Sequence, residues 1–580
     1  MCRAESAVPR MWAGARRFML TGLALNGIAQ AVAALACAWL THRFFEMVID
    51  HRTGGSAMAF GLIGAMLGAG AVLAALRVVE RVQAERLGQD YAAELRLALY
   101  DSLAGQPPRR MQARGRGATI QRFVEDVKGI RRWMSLGLPR IAVGALSASI
   151  ALCVLALVNG TMAFVASWAF VGVAVALALL SDRVDPAVHE ARRRQARLAA
   201  NVNDKIGGIA VVQVFDQVAR ERALLERQGA GLADAGVAQT RGMALLKSAA
   251  EFSSSFAAAG VLLAGAFEVA GGALKASQVV GAITAVGLIA PAFRDFGLAL
   301  GYRRSARAAF EKIATFLATP RLATCAQDDD GDTSPTPLAA PCGAVEIEFR
   351  GVSSGTALRC FSACVPAGAT VAIVGPSGAG KSTLLAMAAR LLEPDRGEIR
   401  IAGAPIGRYR LSELRRALGV VTPDLPLLRG TLERNLRYRW PDAPDTEVAR
   451  VAALCGVDEL LATLPDGART RVADAGANLS YGQRQRIVWA RALLGSPSVL
   501  LLDAADANLD PASARNLGQI LDGFAGTVLM VTHSYARMMQ ADLVWYVEVG
   551  RLLEWGTPAE LMGRRGRTRR LFQREADEAG

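Results

Sequence analysis

Six apolar stretches in the first half of the chain limit its fold more than any other feature. They run approximately over Phe18–Leu40, Ala57–Val79, Leu138–Leu157, Met162–Leu180, Phe252–Ala270 and Val279–Gly301. Each reaches or approaches the ~20 residues that a helix needs to cross a hydrocarbon layer. Backbone in lipid must satisfy its own hydrogen bonds, so such stretches read as spanning helices. Their connections alternate, short after stretches one, three and five and long after two and four. Arginine follows the same alternation: ten lie between Arg81 and Arg132 and eight between Arg183 and Arg227, whereas Asn159-Gly160-Thr161 carries no charge. Basic loops stay on the cytoplasmic side, so both long segments and both termini are expected there, with lipid as the partner of the spans.

This placement explains the formal net charge of +14 without a nucleic-acid partner. The eight cysteines are scattered; Cys360 and Cys364 stand four apart, but no second pair completes a zinc site. Free thiols are expected. The start reads as an uncleaved membrane anchor rather than a signal peptide. The excess of arginine over lysine and the high alanine content fit a GC-rich bacterial genome, and so a bacterial inner membrane.

The long segments do not read as loops. Glu85–Leu99 and Ala187–Asn203 carry helical apolar periodicity. The spanning helices are therefore expected to continue beyond the bilayer and turn back at short connectors, about Gln112–Ile120 and about Gly208–Phe215. Glu268, Arg294 and Asp295 lie in or near spans, where a charge is costly. They either line a pathway or, for Arg294 and Asp295, sit solvated near the inner surface. Pro291 frees a backbone carbonyl in span six and is a candidate bend.

Residues 319–343 are rich in Pro, Asp and Thr and read as a flexible linker. They divide the chain into a membrane domain, 1–318, and an α/β domain, 344–580. In the latter, Val345–Phe349 alternates like a strand. Val371–Val374 then runs into Gly375-Pro376-Ser377-Gly378-Ala379-Gly380-Lys381-Ser382-Thr383, a phosphate-binding loop between strand and helix. Its backbone N–H groups and the following helix N-terminus suit a nucleotide phosphate. Lys381 can reach the β/γ-phosphates and Ser382 can ligand Mg²⁺. Only six lysines stand among 66 basic residues, and Lys381 is the sole one after Lys312. A compact ammonium enters a backbone cradle that a planar guanidinium fits poorly. Ser498–Asp503 is a buried-strand run ending in a carboxylate, placed to hold Mg²⁺ with Ser382. Thr527–His533 is a second such run, and Leu479-Ser480-Tyr481-Gly482-Gln483 opens a helix that continues to about Leu494.

In this order behind six spans, the phosphate loop, Leu479–Gln483, Asp503 and His533 resemble an ABC half-transporter of the exporter type (type IV fold). The fold class expected is an α-helical transmembrane domain with long helix extensions plus an α/β P-loop nucleotide-binding domain. The resemblance implies ATP and Mg²⁺ as cofactors. It also implies a second half-transporter as partner, whose phosphate loop is completed by this chain's signature, Leu479–Gln483. His533 corresponds to the switch histidine, Asn508-Leu509-Asp510 to the D-loop, and the two connectors to coupling helices.

The departures from the family matter as much. Ala504 stands where the family has the Glu that polarises the attacking water. Pro423, in Gly419–Asp424, stands where it has the Q-loop Gln. Val352–Thr356 offers no aromatic to stack on adenine, and Tyr481 replaces a signature glycine. Asp506 is a candidate substitute for the lost Glu; by strand alternation it shares a side with Ala504 but sits further along. The first three losses fall on the site built on Lys381, while the signature is largely kept. The expectation is ATP-driven export of an unidentified substrate by a heterodimer in which this chain has the degenerate nucleotide-binding domain. A slow homodimeric exporter and an ATP-gated, non-transporting membrane regulator are the alternatives; a soluble nucleic-acid-linked ATPase conflicts with the six spans.

Overall fold

The computed structural model describes residues 8–50, 56–108, 116–319, 343–506 and 511–579. The chain divides near residue 320 into two compact units. The predicted D-loop, Asn508–Asp510, most of the predicted linker (320–342) and the start of the first connector (112–115) lie outside the described residues.

The first unit is built of long helices: α1 Arg16–Phe45, α2 Ser56–Ala104, α3 Leu138–Val158, α4 Gly160–Gly207, α5 Ile209–Val214, α6 Val218–Ala270 and α7 Ala276–Leu317. Helical turns from Arg116, with π-turns at Arg122–Asp126 and Trp133–Gly137, lead into α3. Each predicted span lies on one of these helices. Among the described residues, three helical runs are long and apolar enough to cross a membrane: Arg16–Val48, Ala57–Ala104 and Gly117–Val158. Ser255–Ala270 and Ala276–Gly287 are shorter apolar helices. Nearly half of the side chains of the α4 span, and those of Pro291, Arg294 and Asp295, lie outside the description.

The helices extend beyond the apolar stretches, as the periodicity of Glu85–Leu99 implies. Leu87, Tyr91, Leu95 and Leu99 are fully buried, one per turn of α2, against Val127, Ile130 and Met134 and against Ala309, Ile313 and Phe316 of α7. Burying such a side chain contributes about 1.5–3 kcal/mol. The second connector is the short helix α5, set off by Gly208 and Phe215. It joins α4 and α6, which pack side by side and are tied by Lys205–Glu221 at 2.8 Å and Asn201–Gln228 at 3.0 Å.

Glu268 accepts a hydrogen bond from Thr161 Oγ1 at 3.0 Å, beside the uncharged connector between α3 and α4. Its carboxylate therefore belongs to a helix end rather than to the middle of a span. A polar cluster absent from the sequence reading joins α1 to α2. Gln30 Nε2 donates to Asn26 Oδ1 and to Glu80 Oε2, each at 2.7 Å, and Asn26 Nδ2 donates to the Leu76 carbonyl at 3.2 Å. A polar group at membrane depth is costly unless bonded, and these close on one another.

The second unit has two sheets. β1 Ile347–Ser354, β2 Leu358–Val365 and β4 Arg396–Ile401 form the antiparallel order β2-β1-β4, extended by Ala404–Pro405. The other sheet contains β3 Thr370–Val374, β5 Leu418–Val421, β6 Val499–Asp503, β7 Thr527–Val531, β8 Leu543–Glu548 and β9 Arg551–Gly556. Its order is β9-β8-β3-β7-β6-β5, parallel except for the β8–β9 pair. A parallel sheet is covered on both faces, and the period-2 alternation divides its residues between two cores. Val371, Ile373, Leu501 and Val531 enter one core; Ala372, Val374, Leu502 and Met530 enter the other. β1 begins two residues after the predicted Val345. Register shifts at Phe349/Val352 and Val352/Ser354 bend it.

Candidate nucleotide-binding site

In an open parallel sheet, ligands bind beyond the carboxyl ends of the strands. Here those ends are aligned by register: Ile373 of β3 is level with Val531 of β7, Val531 with Asp503 of β6, and Leu502 with Val421 of β5. The phosphate loop, Ala504, Thr532–His533 and Thr422–Asp424 therefore all emerge along one edge. The sheet brings together residues separated by more than a hundred positions in sequence.

The loop Gly375–Gly380 leaves β3 and enters α8, Lys381–Ala388, with Gly380 as N-cap at φ +100° and no side-chain cap. The first-turn N–H groups of α8 are thus left for an acceptor outside the helix. Gly375 is required by close approach: with φ +140°, an added Cβ would stand 2.0 Å from the Val547 carbonyl oxygen. Gly378, at φ +81°, meets nothing within 4 Å, so its backbone faces open space. Lys381 is buried and donates to the carbonyls of Gly375 (2.7 Å) and Pro376 (2.8 Å). Burial lowers its pKa below the usual lysine range, and the nearby Asp503 charge works against that shift.

Burial pushes the Asp503 carboxyl above its usual range; a hydrogen bond from Ser382 opposes the rise and the charge of Asp424 adds to it. Lys381 and His533 are close enough to act on the same carboxyl in the opposite sense. The structure thus gathers Lys381, Ser382, Asp503, His533 and Asp424. The last is a member that the sequence reading placed only as the end of the Q-loop run.

Ala504 follows directly at φ +47°, its N–H donating to the Val531 carbonyl at 3.1 Å. The strand has ended at Asp503, so the alternation behind the expectation that Asp506 shares a side with Ala504 does not extend to it. Asp506 instead accepts a hydrogen bond from Thr532 Oγ1, next to His533. Pro423 has no donor or acceptor to offer from its side chain. In the segment expected to carry an adenine-stacking ring, Val352 is buried in the sheet core and Ser353 and Ser354 complete β1.

The signature residues open α9, Tyr481–Leu493. Ser480 is its N-cap: Ser480 Oγ accepts from Gln483 N–H at 3.2 Å, and Gln483 Oε1 accepts from Ser480 N–H at 2.9 Å. Leu479 is buried and anchors the turn. Tyr481 lies back along the helix; its hydroxyl accepts from Gln485 Nε2 at 2.9 Å and the Arg484 guanidinium stands 5.9 Å from its ring centre. Ser480 itself is exposed.

Residues 358–507 match the family described as ABC transporter, and residues 22–291 match the ABC transporter transmembrane region. The chain belongs to the ABC transporters. It is 29% identical over 578 residues to a multidrug efflux ATP-binding/permease protein of Mycobacterium bovis, covering 97% of this chain and 47% of that protein. This transporter chain therefore spans about half the length of that relative. It is 30% identical over 391 residues to a β-(1→2)-glucan export ATP-binding/permease protein of Mesorhizobium japonicum, covering 66% of this chain and 64% of that one. Its fold is that of a bacterial Atm1-family ABC exporter solved with ATP bound, with a TM-score of 0.85, 24% identity and coverage of 97% and 98%.

The residues of this ABC transporter chain fit ATP. The space over Gly378, the uncapped N-terminus of α8 and the buried Lys381 ammonium form an anion cradle. Ser382 and Asp503, close enough for the hydroxyl to favour the ionised carboxyl, are hard oxygen donors suited to Mg²⁺ and would hold it. When bound, the ion supplies neutralisation of charge on the phosphate oxygens.

Proposed function

We propose that this chain is one half of a heterodimeric ATP-driven exporter in a bacterial inner membrane, with its nucleotide-binding unit in the cytoplasm. Gly375–Thr383 grips ATP, with Mg²⁺ on Ser382 and Asp503, but that site hydrolyses poorly. Ser480 and Gly482 complete the ATP site of a different half-transporter that carries its own Glu and Gln.

The observation that carries this reading is the position after Asp503. Ala504 has no carboxylate, and the nearest substitute in sequence, Asp506, is engaged by Thr532. A positioned general base contributes roughly 10²–10⁴-fold in rate, and no side chain at 504 or 423 supplies one. By contrast, the phosphate-gripping backbone and Lys381 are intact, and the Tyr481 hydroxyl is tied to Gln485 of its own helix. The losses concern water activation and metal or adenine contacts at one site; the signature serves the other. His533 keeps the switch position beside Asp503.

The substrate is left open. The two relatives named above are called a multidrug efflux protein and a β-glucan export protein, and these names describe different cargo classes.

The test is Mg-ATP hydrolysis by the purified full chain in lipid nanodiscs, alone and with a candidate partner subunit. The chain alone should bind ATP but turn over near background, and the mixed assembly should hydrolyse and transport. Brisk turnover by the chain alone would favour the homodimer. Hydrolysis without transport by the mixed assembly would favour a regulator.

A further inference from the structure

The turn that leads into α9 is held by a side chain of that helix. Asp474–Gly476 forms a tight turn ahead of the signature, with Ala475 at φ +51° and Gly476 at φ +74°. The Arg484 stem packs against it: a Cβ added at Gly476 would stand 2.8 Å from Arg484 Cδ and 3.3 Å from Leu427 Cδ1. The Arg484 guanidinium then donates to two carbonyls, Leu479 at 2.8 Å and Gly476 at 3.2 Å. The Gly476 carbonyl also accepts the Leu479 N–H at 2.9 Å, so both acceptors belong to one closed turn. Asn478 fastens the same turn from the other side. It accepts the Ala473 N–H and donates to the Arg471 carbonyl, each at 2.8 Å.

The peptide unit between Leu479 and Ser480 is therefore gripped at both ends. Arg484 holds its carbonyl, and Gln483 Oε1 takes its N–H at 2.9 Å. A peptide unit is planar, so these two bonds fix its orientation and the direction in which the Ser480 side chain leaves the backbone. The exposed Ser480 Oγ accepts the Gln483 N–H at 3.2 Å. A hydroxyl also has one hydrogen to donate, and that hydrogen faces outward from the cap. The first turn of α9 contains no acidic residue. The Arg484 cation near this end is unfavourable for the helix alone, and an anion in front of the turn would reverse that.

We propose that Arg484 is a positioning residue of the signature: it fixes the Leu479–Ser480 peptide so that the Ser480 hydroxyl donates to a phosphate oxygen of the partner's ATP. This rests on the reading that the signature completes the ATP site of a second half-transporter. A planar fork with several donors suits two carbonyls at once, which a lysine ammonium matches poorly.

The test is a double-mutant cycle on ATP turnover by the mixed assembly in nanodiscs, read as phosphate release. Arg484→Met keeps the apolar stem beside Gly476 and removes the fork. It should lower kcat/KM on the order of 10-fold or more, as misplacement of a group near the reacting centre does. In a Ser480→Ala background the same change should cost less than about 2-fold, because residues acting as one unit are not additive. Arg484→Lys should recover part of the loss when Ser480 is present and none when it is absent. ATP binding to this chain's own Lys381 loop should keep its wild-type affinity throughout. Equal losses in both backgrounds, following the denaturation midpoint, would mean that Arg484 only stabilises the fold and would overturn the inference. Wild-type turnover in Arg484→Met would overturn it too; if Ser480→Ala still impaired turnover, the partner-site reading would survive. A Ser480→Ala assembly with intact turnover would overturn both. Should Arg484→Met fail to fold, Arg484→Lys takes its place in the cycle under the same criterion.

Discussion

The nucleotide-binding unit presents two helix N-termini with glycines beside them, and they are built in opposite ways. α8 begins at Gly380 with no side-chain cap, leaving its first-turn N–H groups to a ligand. α9 begins at Ser480 in a reciprocal capping box that satisfies Gln483 from within. The first is an open anion cradle, and the second is a self-supporting turn that offers one hydroxyl and a glycine edge. The departures from the family fall around the first, at Ala504, Pro423 and the segment Val352–Thr356. On the function proposed above, they remove side chains that would polarise water or contact base and metal, and spare the backbone that would hold phosphate. Binding and bond-breaking draw on different atoms of one site, so a chain can lose the second and keep the first.

The largest effect that would break this contrast is a gain of function. Ala504→Glu combined with Pro423→Gln should raise ATP turnover of the chain alone by about 10²-fold or more, as expected for restoring a positioned base. Steady-state phosphate release would measure it. Ala504 already holds φ +47°, so the new side chain adds no backbone strain beyond what alanine bears. No gain, with ATP still bound, would place the defect elsewhere than in water activation.

Next comes loss of grip. Lys381→Ala should weaken ATP binding at this chain's own site by about 3 kcal/mol, on the order of 100-fold, as expected for losing charge-assisted hydrogen bonds to phosphate. Direct binding to the chain alone measures it. Turnover over the partner's phosphate loop should fall far less. Equal losses at both sites would mean that the two N-termini are not separable.

Parts of this contrast were legible in the sequence and parts were not, for physical reasons. The phosphate loop, the Asp503 strand and the Tyr481 helix could be read because local backbone chemistry fixes them. The α2 extension could be read because Leu87, Tyr91, Leu95 and Leu99 repeat once per turn. β1 begins two residues after the alternation does, where the Val345 carbonyl is taken by Thr527 Oγ1 instead of a neighbouring strand. Alternation does not reach Asp506, because the strand stops at Asp503 and Ala504 turns into the left-handed region. The Glu80–Gln30–Asn26 cluster and the approach of Asp424 to Asp503 depend on partners fifty or more positions apart. Only helix packing and strand register bring those partners together, and neither leaves a local pattern.

A moderate effect is expected at the second N-terminus. Ser480→Ala removes the cap and should cost about 1 kcal/mol of stability, typical for a lost Ser N-cap. Chemical denaturation of the full chain's nucleotide unit would measure it. If Ser480 serves the partner's nucleotide, turnover of the mixed assembly should fall by more than this stability change explains, while ATP binding to the chain alone stays unchanged. A drop in the chain's own ATP binding would contradict the assignment of the two termini to two sites.

The smallest effect concerns Tyr481, the one departure on the signature side. Its hydroxyl is held by Gln485, whose own Oε1 is buried without a hydrogen-bond partner among the described residues. Gln485→Leu removes one hydrogen bond and one unsatisfied acceptor together. The two terms, each of about 1 kcal/mol, should nearly cancel in stability. The ring, however, loses its tether and keeps only the Arg484 contact, so it can swing across Gly482. The KM for ATP of the mixed assembly should then rise a few-fold with kcat little changed, and Tyr481→Gly in the same background should restore it. If both variants leave KM at its starting value, the tyrosine does not border a nucleotide. The signature side would then owe its apparent preservation to folding of α9 alone, through the Ser480–Gln483 box, rather than to a partner's ATP.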